Sequence, residues 1–334
     1  MNIVITGAAG LLGCHLSRHL LSKGHKIIGI DNFFGGYKDF LPEHENFKFC
    51  NLNLEKDIQG LKDIFELYEP EVVYHFAAYA AEGLSPFIRN FNYTNNVLAS
   101  INIINECIKS KSKLIFTSSM AVYGNQTPPF TEDLLQSPID PYGIAKYAVE
   151  MDIITAHKQF DLMYNIVRPH NVLGIYQNIW DKYRNVIGIF IKKALNGESI
   201  FVYGDGEQTR AFSDIQYYME PFEKLISEHN GEIFNIGADK YFTINQVADI
   251  VKNIAKEKCV LFLWVTYPML QEGLKTIKQW GFEYKTCGFS WVKKNKISDS
   301  WFWGMGYWTR ANNEICLLAT KGKPKRVSMG VHQI

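Results

Sequence analysis

Hydrophobic and polar positions along the first half of this chain follow two different periods. Short runs of branched or apolar residues are typical of buried strands: residues 3–6, 26–30, 72–76, 114–118 and 165–168. Between them, residues 11–22, 95–109 and 142–157 carry apolar side chains at helical spacing. This alternation predicts an α/β fold, a Rossmann-like doubly wound parallel sheet with helices on both faces.

The chain changes character near residue 258. Thr243 is placed to cap a helix that ends near Lys258. From Cys259 onward there are eleven Lys or Arg against four Asp or Glu, a balance of +7, which leaves 24 against 30, or −6, before it. Six of the seven tryptophans share this tail: Trp264, Trp280, Trp291, Trp301, Trp303 and Trp308. We predict two domains, residues 1–257 and a Trp-rich basic α/β tail over 258–334.

Composition argues against a secreted, membrane or zinc-binding protein. The first residues lack a basic and apolar leader, and no apolar run approaches membrane-spanning length. The six cysteines lie far apart without a Cys-x-x-Cys pair, so neither a disulfide framework nor a metal site is expected. The sequence predicts a cytoplasmic protein with no metal and no membrane partner.

A glycine-rich turn follows the first predicted strand. Gly7, Gly10 and Gly13 stand where the strand turns into a helix whose first amides can hold a diphosphate. Asp31 ends the second strand, where a carboxylate accepts hydrogen bonds from a ribose and repels a ribose phosphate. Together they predict NAD as the cofactor. The alternative is a turn that serves only tight packing of strand on helix.

Tyr142 and Lys146 are spaced to share one face of a helix. A nearby ammonium favours the phenolate of a tyrosine, which can then accept the proton of a sugar hydroxyl. This spacing is common by chance, but here it follows a strand ending in Thr117-Ser118-Ser119, at the sheet edge where such folds bind ligands. Ser119 can share the proton, or it can simply cap the end of the strand.

These segments carry a family resemblance. Residues 7–13, 117–124 and 140–146 resemble extended short-chain dehydrogenases/reductases of the NAD-dependent epimerase/dehydratase family, specifically UDP-glucose 4-epimerase-like proteins, over residues 1–257. The resemblance implies catalytic roles for Ser119, Tyr142 and Lys146. It implies a cofactor site lined by Tyr142, Lys146 and the following residues: Gly7, Gly10, Leu11, Leu12, Gly13, Asp31, Asn32, Asn51, Leu52, Ala77, Ala78, Tyr79 and Asn95. Asn51 replaces a usual aspartate, so hydrogen bonding is kept while the charge is lost.

The residues after Ser119 bear on the reaction. Nucleotide-sugar dehydratases of the same superfamily have Asp and Glu there, because elimination of water needs a further acid and base. This chain has Met120 and Ala121. The sequence therefore favours epimerisation of a UDP-glucose/UDP-galactose type of substrate through transient oxidation to a keto-sugar. A reductase or a dehydratase is the alternative enzyme.

Three segments resemble the family's nucleotide-sugar contacts: residues 168–172, 178–184 and 204–210. The predicted substrate-binding residues are Asn171 and Arg210 from these segments, together with Ser119. Arg210 is expected to pair with the diphosphate. The alternatives are a solvated surface charge for Arg210 and a structural role for His170. Asp214 and the pair Gln216-Tyr217 depart from the family pattern, and the family's further substrate-domain segments have no counterpart, so we expect a truncated substrate domain.

The tail resembles a second family. Residues 261–265 and 306–318 are similar to part of phage-type N-6-adenine methyltransferases, but the chain contains no Asp-Pro-Pro-Trp sequence, so methyl transfer is not expected. Basic residues among aromatic ones could contact nucleic acid, although a solvated basic face over a Trp-rich core is favoured. These residues are Lys293, Lys294, Lys296, Lys321, Lys323, Lys325 and Arg326.

Two classes of function stay open on the sequence. The favoured one is a working NAD-dependent epimerase, whose partners are a nucleotide-sugar substrate and a second copy of the chain in a homodimer. The other is a catalytically impaired NAD-binding fusion protein whose tail contacts nucleic acid.

Overall fold

The computed structural model describes residues 1–181, 183, 185–196, 198–202, 204–254, 259–292, 313–322 and 324. The chain forms two compact units, Met1–Asn185 with Ala211–Lys240, and Val186–Arg210 with Tyr241–Ile334. Residues 186–210 and 241–257 thus group with the second unit, whereas the sequence assigns them to the first domain. The boundary near Lys258 stays a prediction.

Thirteen strands lie in the described residues. They are β1 (Asn2–Thr6), β2 (Lys26–Asp31), β3 (Phe47–Asn51), β4 (Val72–His75), β5 (Lys113–Thr117), β6 (Tyr164–Pro169), β7 (Asn171–Leu173), β8 (Thr209–Asp214), β9 (Glu232–Ile236), β10 (Tyr241–Thr243), β11 (Cys259–Val265), β12 (Glu283–Val292) and β13 (Asn313–Lys321).

Nine α-helices accompany these strands in the same residues. They are α1 (Leu11–Ser22), α2 (Ile58–Tyr68), α3 (Arg89–Tyr93), α4 (Ala99–Ser110), α5 (Pro141–Phe160), α6 (Val186–Asn196), α7 (Gln216–Lys224), α8 (Ile244–Ile254) and α9 (Leu270–Gln279). None of the helices described is long and apolar enough to cross a bilayer.

The first unit is built on a seven-stranded sheet in the order β3-β2-β1-β4-β5-β6-β9. Every neighbouring pair is parallel. Chain order reverses between β1 and β4, which is the switch point where ligands bind outside the carboxyl ends of the strands. The predicted doubly wound parallel sheet is confirmed, and the five predicted strands are present with shifts of one residue at most at either end.

Side chains on β1 alternate between two apolar layers. Ile3 and Ile5 pack on the side of α1 and α7, whereas Val4 packs on the side of α2, α4 and α5. All three are fully buried, and a buried side chain of this kind contributes about 1.5–3 kcal/mol. A run of apolar residues without alternation, as the sequence has here, follows from burial on both faces.

The helix predicted over residues 95–109 has a different start. The structure has α3, then a π-helical turn over Thr94–Leu98, then α4. The predicted start of this helix is wrong because the spacing of apolar residues does not reveal a single π-helical turn. Such turns are frequent at functional sites.

In the second unit, α8 begins with a reciprocal cap. The hydroxyl of Thr243 accepts from the N–H of Gln246 at 3.1 Å, and the Gln246 side chain accepts from the N–H of Thr243 at 2.9 Å. Val247 and Val251 are buried on one face, as predicted. The predicted helix end near Lys258 lies outside the described residues.

The tail contains a three-stranded antiparallel sheet in the order β11-β13-β12. Leu261, Leu263 and Val265 are buried on one face of β11, and Ile277 of α9 and Trp280, directly after that helix, are buried as well. The rings of Trp264 and Trp291 lie edge to face with their centroids 6.1 Å apart, and Trp291 is 57% exposed. Trp301, Trp303 and Trp308 lie outside the described residues, so the Trp-rich core is observed only in part.

Candidate active site

The glycine loop brings backbone segments too close together for side chains. Gly7 has a φ of +70°, which favours glycine, and its N–H donates to the carbonyl of Ile30 at 2.8 Å. A Cβ on Gly13 would overlap the carbonyl oxygen of Gly7. Gly10 precedes α1 and offers no side-chain cap, so the first amides of the helix are open to a phosphate. The predicted residues of this loop lie together: Gly7, Gly10, Leu11, Leu12 and Gly13.

Asp31 ends β2 beside this loop. Its carboxylate accepts from the backbone N–H of Ala9 at 3.0 Å and from that of Phe33 at 2.7 Å. The carboxylate is thereby held against the glycine loop, where it can also accept from ribose hydroxyls.

Three other predicted residues lie at the same edge of the sheet. Asn51 ends β3 opposite Asp31, and the N–H of the buried Leu52 donates to the Asp31 carbonyl at 3.2 Å. The Asn32 side chain accepts from the N–H of Phe34 at 3.0 Å. Their contacts with a cofactor stay predictions.

A buried hydrogen-bond network lies across the switch point at the end of β4. The ring of His75 joins the hydroxyls of Thr6 at 2.7 Å and Ser100 at 2.8 Å. Thr6 also accepts from the N–H of Ala77 at 3.1 Å, which fixes the backbone of a predicted cofactor residue. Burial, and then the charge of Lys146, lower the pKa of His75 to about 3, so the ring is neutral.

Asn96, in the π-helical turn, holds the next part of this edge. Its side chain accepts from the N–H of Tyr79 at 2.8 Å and from the side chain of Asn95 at 3.1 Å. The predicted residues Tyr79 and Asn95 therefore meet at Asn96, with Ala78 immediately before Tyr79. The sequence alone missed Asn96 and His75; His75 gave a signal as a polar residue within an apolar strand, whereas Asn96 lies in a polar stretch that does not single it out.

The helix that carries Tyr142 and Lys146 starts at a defined point. Asp140 caps α5 by accepting from the N–H groups of Tyr142 at 2.9 Å and Gly143 at 3.0 Å, and Pro141 takes the first helical position. Both Tyr142 and Lys146 are buried, at 8% and 3% exposed. The cap thus sets the depth at which the two side chains enter the protein.

Lys146 links α5 to the end of β5. Its ammonium donates to the carbonyl of Thr117 at 2.8 Å and lies 4.7 Å from the ring centre of Phe116. Burial lowers the pKa of Lys146 to about 7, although the carboxylate of Glu150 opposes the shift. The charge of this lysine is therefore sensitive to its surroundings near neutral pH.

Ser119 lies at the turn after β5. Its hydroxyl accepts from the N–H of Ala121 at 3.1 Å and so caps a short helical turn, Met120–Tyr123. A Cβ on Gly143 would overlap the carbonyl of Ala121, so the first turn of α5 packs directly on this segment. The structure thus brings the Ser119 turn beside Tyr142. The capping interpretation of Ser119 is observed, and its catalytic role stays a prediction.

These residues fit NAD. The glycine loop leaves a cradle that a Cβ would fill, and Asp31 offers a carboxylate beside it. The hydroxyls of Thr117 and Ser118 are buried with no hydrogen-bond partner in the part of the chain that the structure describes. Buried polar groups are normally satisfied, so unsatisfied hydroxyls at this strand end suit a polar ligand.

The predicted substrate residues have varied surroundings. The side chain of Asn171 donates to the carbonyl of Ala211 at 3.0 Å. Arg210 belongs to the second unit, and its guanidinium donates to the carbonyl of Thr209 at 2.8 Å. Burial lowers the pKa of His170. Within residues 178–184, Lys182 and Arg184 lie outside the described residues.

The prediction that residues 168–172 contact the substrate is wrong for Arg168. The sequence places this arginine against the substrate, but the structure leaves it 1% exposed and forks it onto Glu150 of α5, at 3.0 and 2.6 Å. β6 is buried on both faces, so the side chain of Arg168 lies inside the protein and its role is internal.

The tail offers half-exposed aromatic rings. Tyr284 and Phe289 of β12 are 43% and 40% exposed. Of the basic residues predicted to face solvent or nucleic acid, only Lys321 is described, and the others lie outside the described residues. Nucleic-acid contact therefore stays a prediction.

Comparison with known proteins gives two family matches. Residues 3–237 match the model of the NAD dependent epimerase/dehydratase family, and residues 240–333 match the MT-A70 model. A UDP-N-acetyl-alpha-D-glucosaminuronate decarboxylase of Bacillus cytotoxicus is 32% identical over 265 residues, covering 75% of this chain and 79% of that protein. A UDP-glucuronate 4-epimerase of Thermodesulfobacterium geofontis is 30% identical over 271 residues, covering 76% and 81%.

Solved structures agree with these relatives. The UDP-glucose 4-epimerase of Thermotoga maritima, in complex with UDP-glucose, is 32% identical with a TM-score of 0.72, covering 76% of this chain and 82% of that one. The predicted resemblance and the predicted cofactor, NAD, are both confirmed. The chain is a member of the NAD-dependent epimerase/dehydratase family.

Proposed function

We propose that the protein is a nucleotide-sugar 4-epimerase that acts on UDP-glucose and UDP-galactose through a keto-sugar. The observation that carries the proposal is that the three candidate catalytic residues meet at one edge of the sheet. The start of α5, with Tyr142, packs on the Ser119 turn, and the Lys146 ammonium donates to the carbonyl of Thr117.

The choice among related reactions rests on Met120 and Ala121. Relatives of this chain include decarboxylases as well as epimerases. A thioether and a methyl group cannot supply the additional acid and base that elimination requires. Hydride transfer to NAD and its return to the opposite face of the sugar need only one proton acceptor and donor, which favours epimerisation over dehydration.

In the proposed reaction, Tyr142 as phenolate takes the proton from the sugar hydroxyl and later returns it. Lys146 stabilises the phenolate by its charge, and Ser119, whose oxygen accepts from the N–H of Ala121, can donate its own O–H hydrogen to share the proton. When bound on the glycine loop, NAD supplies the reversible acceptor of hydrogen from the sugar carbon. Asn171 is the proposed contact of the first unit with the nucleotide-sugar, and pairing of Arg210 with the diphosphate stays a prediction from the sequence.

Proton NMR of the anomeric signals tests this proposal. Purified protein with NAD is incubated separately with UDP-glucose and UDP-galactose, and appearance of the other sugar from each start is the expected result. Tyr142→Phe is the matched variant, because it removes one oxygen and leaves the ring in place. It should lower the rate by about 10²- to 10⁴-fold in a protein that still binds NAD.

Two outcomes contradict the proposal. Wild-type rates in Tyr142→Phe would remove the assigned base. No interconversion by a protein that binds NAD would favour another nucleotide-sugar or the impaired fusion protein, and UDP-glucuronate in a third incubation separates these two.

A further inference from the structure

Glu150 and Arg168 form a buried ion pair directly behind the candidate active site. Both side chains are 1% exposed. The guanidinium meets the carboxylate at two points, Nε to Oε1 at 3.0 Å and Nη2 to Oε2 at 2.6 Å. Charge burial of this kind is costly, and replacing such a pair by apolar residues is often neutral or stabilising. Its presence therefore calls for a reason other than stability.

The pair links the two elements that carry the candidate catalytic residues, through β6. Glu150 lies on α5, one helical turn after Lys146, and Arg168 lies on β6. The remaining arm of Arg168 donates to the phenol oxygen of Tyr123 at 2.6 Å, and Tyr123 ends the helical turn that Ser119 caps. One guanidinium thus connects the helix of Tyr142 and Lys146 with the turn of Ser119.

Glu150 is also the negative charge that acts on Lys146. The other titratable groups around the lysine are Tyr142 on the same helix and His75 from β4, whose neutral ring supplies no charge at neutral pH. Arg168 from β6 and Tyr123 face Glu150. The Glu150 carboxylate raises the pKa of Lys146 against the burial that lowers it.

We propose that Glu150 is a positioning residue of this site: held by Arg168, its carboxylate fixes α5 against the Ser119 turn and favours the charged form of Lys146, one helical turn away. This inference rests on the proposed function for its catalytic meaning. Its physical content, a dependence of the Lys146 charge on Glu150, does not require turnover.

The test measures NAD affinity by titration calorimetry from about pH 5.5 to about pH 9. The ammonium is present below the pKa of Lys146, about 7, and is lost above it, so wild-type affinity should fall as the pH rises through that value. Lys146→Met should abolish this transition, which would assign the change in NAD affinity to the titration of Lys146. In Glu150→Gln the transition should move down by about one pH unit or more, because the carboxylate that favours the ammonium is gone.

A second variant separates charge from structure. Glu150→Gln alone leaves Arg168 buried without its partner and can fail to fold, whereas Glu150→Gln with Arg168→Met removes both charges. The double variant should keep the lowered transition. Glu106→Gln is the matched control, since Glu106 is a buried carboxylate paired with Lys109 at 2.7 Å on α4, and its transition should stay at the wild-type pH.

If NAD affinity changed at the wild-type pH in either Glu150 variant, the proposal would be overturned, because the Glu150–Arg168 pair would then act only through packing. A lowered transition in a protein that does not interconvert sugars would support the role of Glu150 while rejecting the proposed epimerase function.

Discussion

Of the three sheets in the described residues, the seven-stranded parallel sheet and the antiparallel sheet of the tail use buried polar groups in opposite ways. In the parallel sheet of the first unit, polar groups are buried near strand ends, in networks such as Thr6 with His75 and Arg168 with Glu150 of α5. In the sheet of the tail, β11 and β13 meet through apolar pairs such as Leu263 with Leu317. In the residues that the structure describes, no group of His, Cys, Asp and Glu in either sheet could hold a metal.

The difference indicates where function is concentrated. Burying a polar group costs free energy unless it is paired, so a fold keeps such groups where position and charge matter. The first unit accepts this cost at the carboxyl ends of its strands, beside the glycine loop. The described part of the tail has the character of a packing unit with exposed rings.

The largest effect that would sharpen this contrast is on the packing of the tail. Ile277 of α9 is 1% exposed, and Ile277→Asp places a charge in that core. We expect the tail to lose about 4 kcal/mol of stability, while NAD affinity stays unchanged because the cofactor residues lie in the first unit. Hydrogen exchange of peptides from β11 and α9, with calorimetry of NAD, measures both. Loss of NAD affinity would contradict the expectation that cofactor binding is independent of the tail core.

A slightly smaller effect is expected on the glycine loop. Gly13→Val should weaken NAD binding at least about 100-fold, about 3 kcal/mol, because the new side chain meets the carbonyl of Gly7. Gly83→Val is the control, since a Cβ there meets open space. Equal NAD affinity in the two variants would show that close approach of the backbone is not required for the cofactor.

The buried His75 should make the stability of the first unit depend on pH. Its folded pKa of about 3 lies below the ordinary value of 6.5, so the unfolded chain binds the proton more readily and stability falls as the pH drops below about 6.5. The loss attributable to His75 is about 2 kcal/mol between pH 7 and pH 5. Urea unfolding followed by hydrogen exchange of β4 should show this loss in the wild type, and His75→Asn should lack it.

The smallest effect is expected at an exposed ring of the tail. Trp291 is 57% exposed and contacts Trp264, so Trp291→Ala should cost about 1 kcal/mol or less. Thermal unfolding of the variant measures this cost. A loss above about 3 kcal/mol would mean that the ring is covered in solution, and the contrast between the two sheets would weaken.

Much of the first unit follows from the sequence alone. The alternation of apolar runs with helical segments predicts the parallel sheet, and Gly7, Gly13 and Asp31 predict the NAD loop. Tyr142 and Lys146 share a helix as their spacing predicts. Each of these features is local, because strand and helix periods and the conformational freedom of glycine act within a few residues.

Other features were decided only by the packed chain. Thr6 and His75 are 69 residues apart, and Glu150 and Arg168 are 18 apart on different elements, so no local pattern pairs them. The π-helical turn at Asn96 likewise accompanies a hydrogen bond to Tyr79, 17 residues away. The sequence by itself determined the order of strands and helices and the residue types at the site. Tertiary structure decided which buried charges meet, because Coulomb and desolvation energies depend on distance and burial in space, not on separation along the chain.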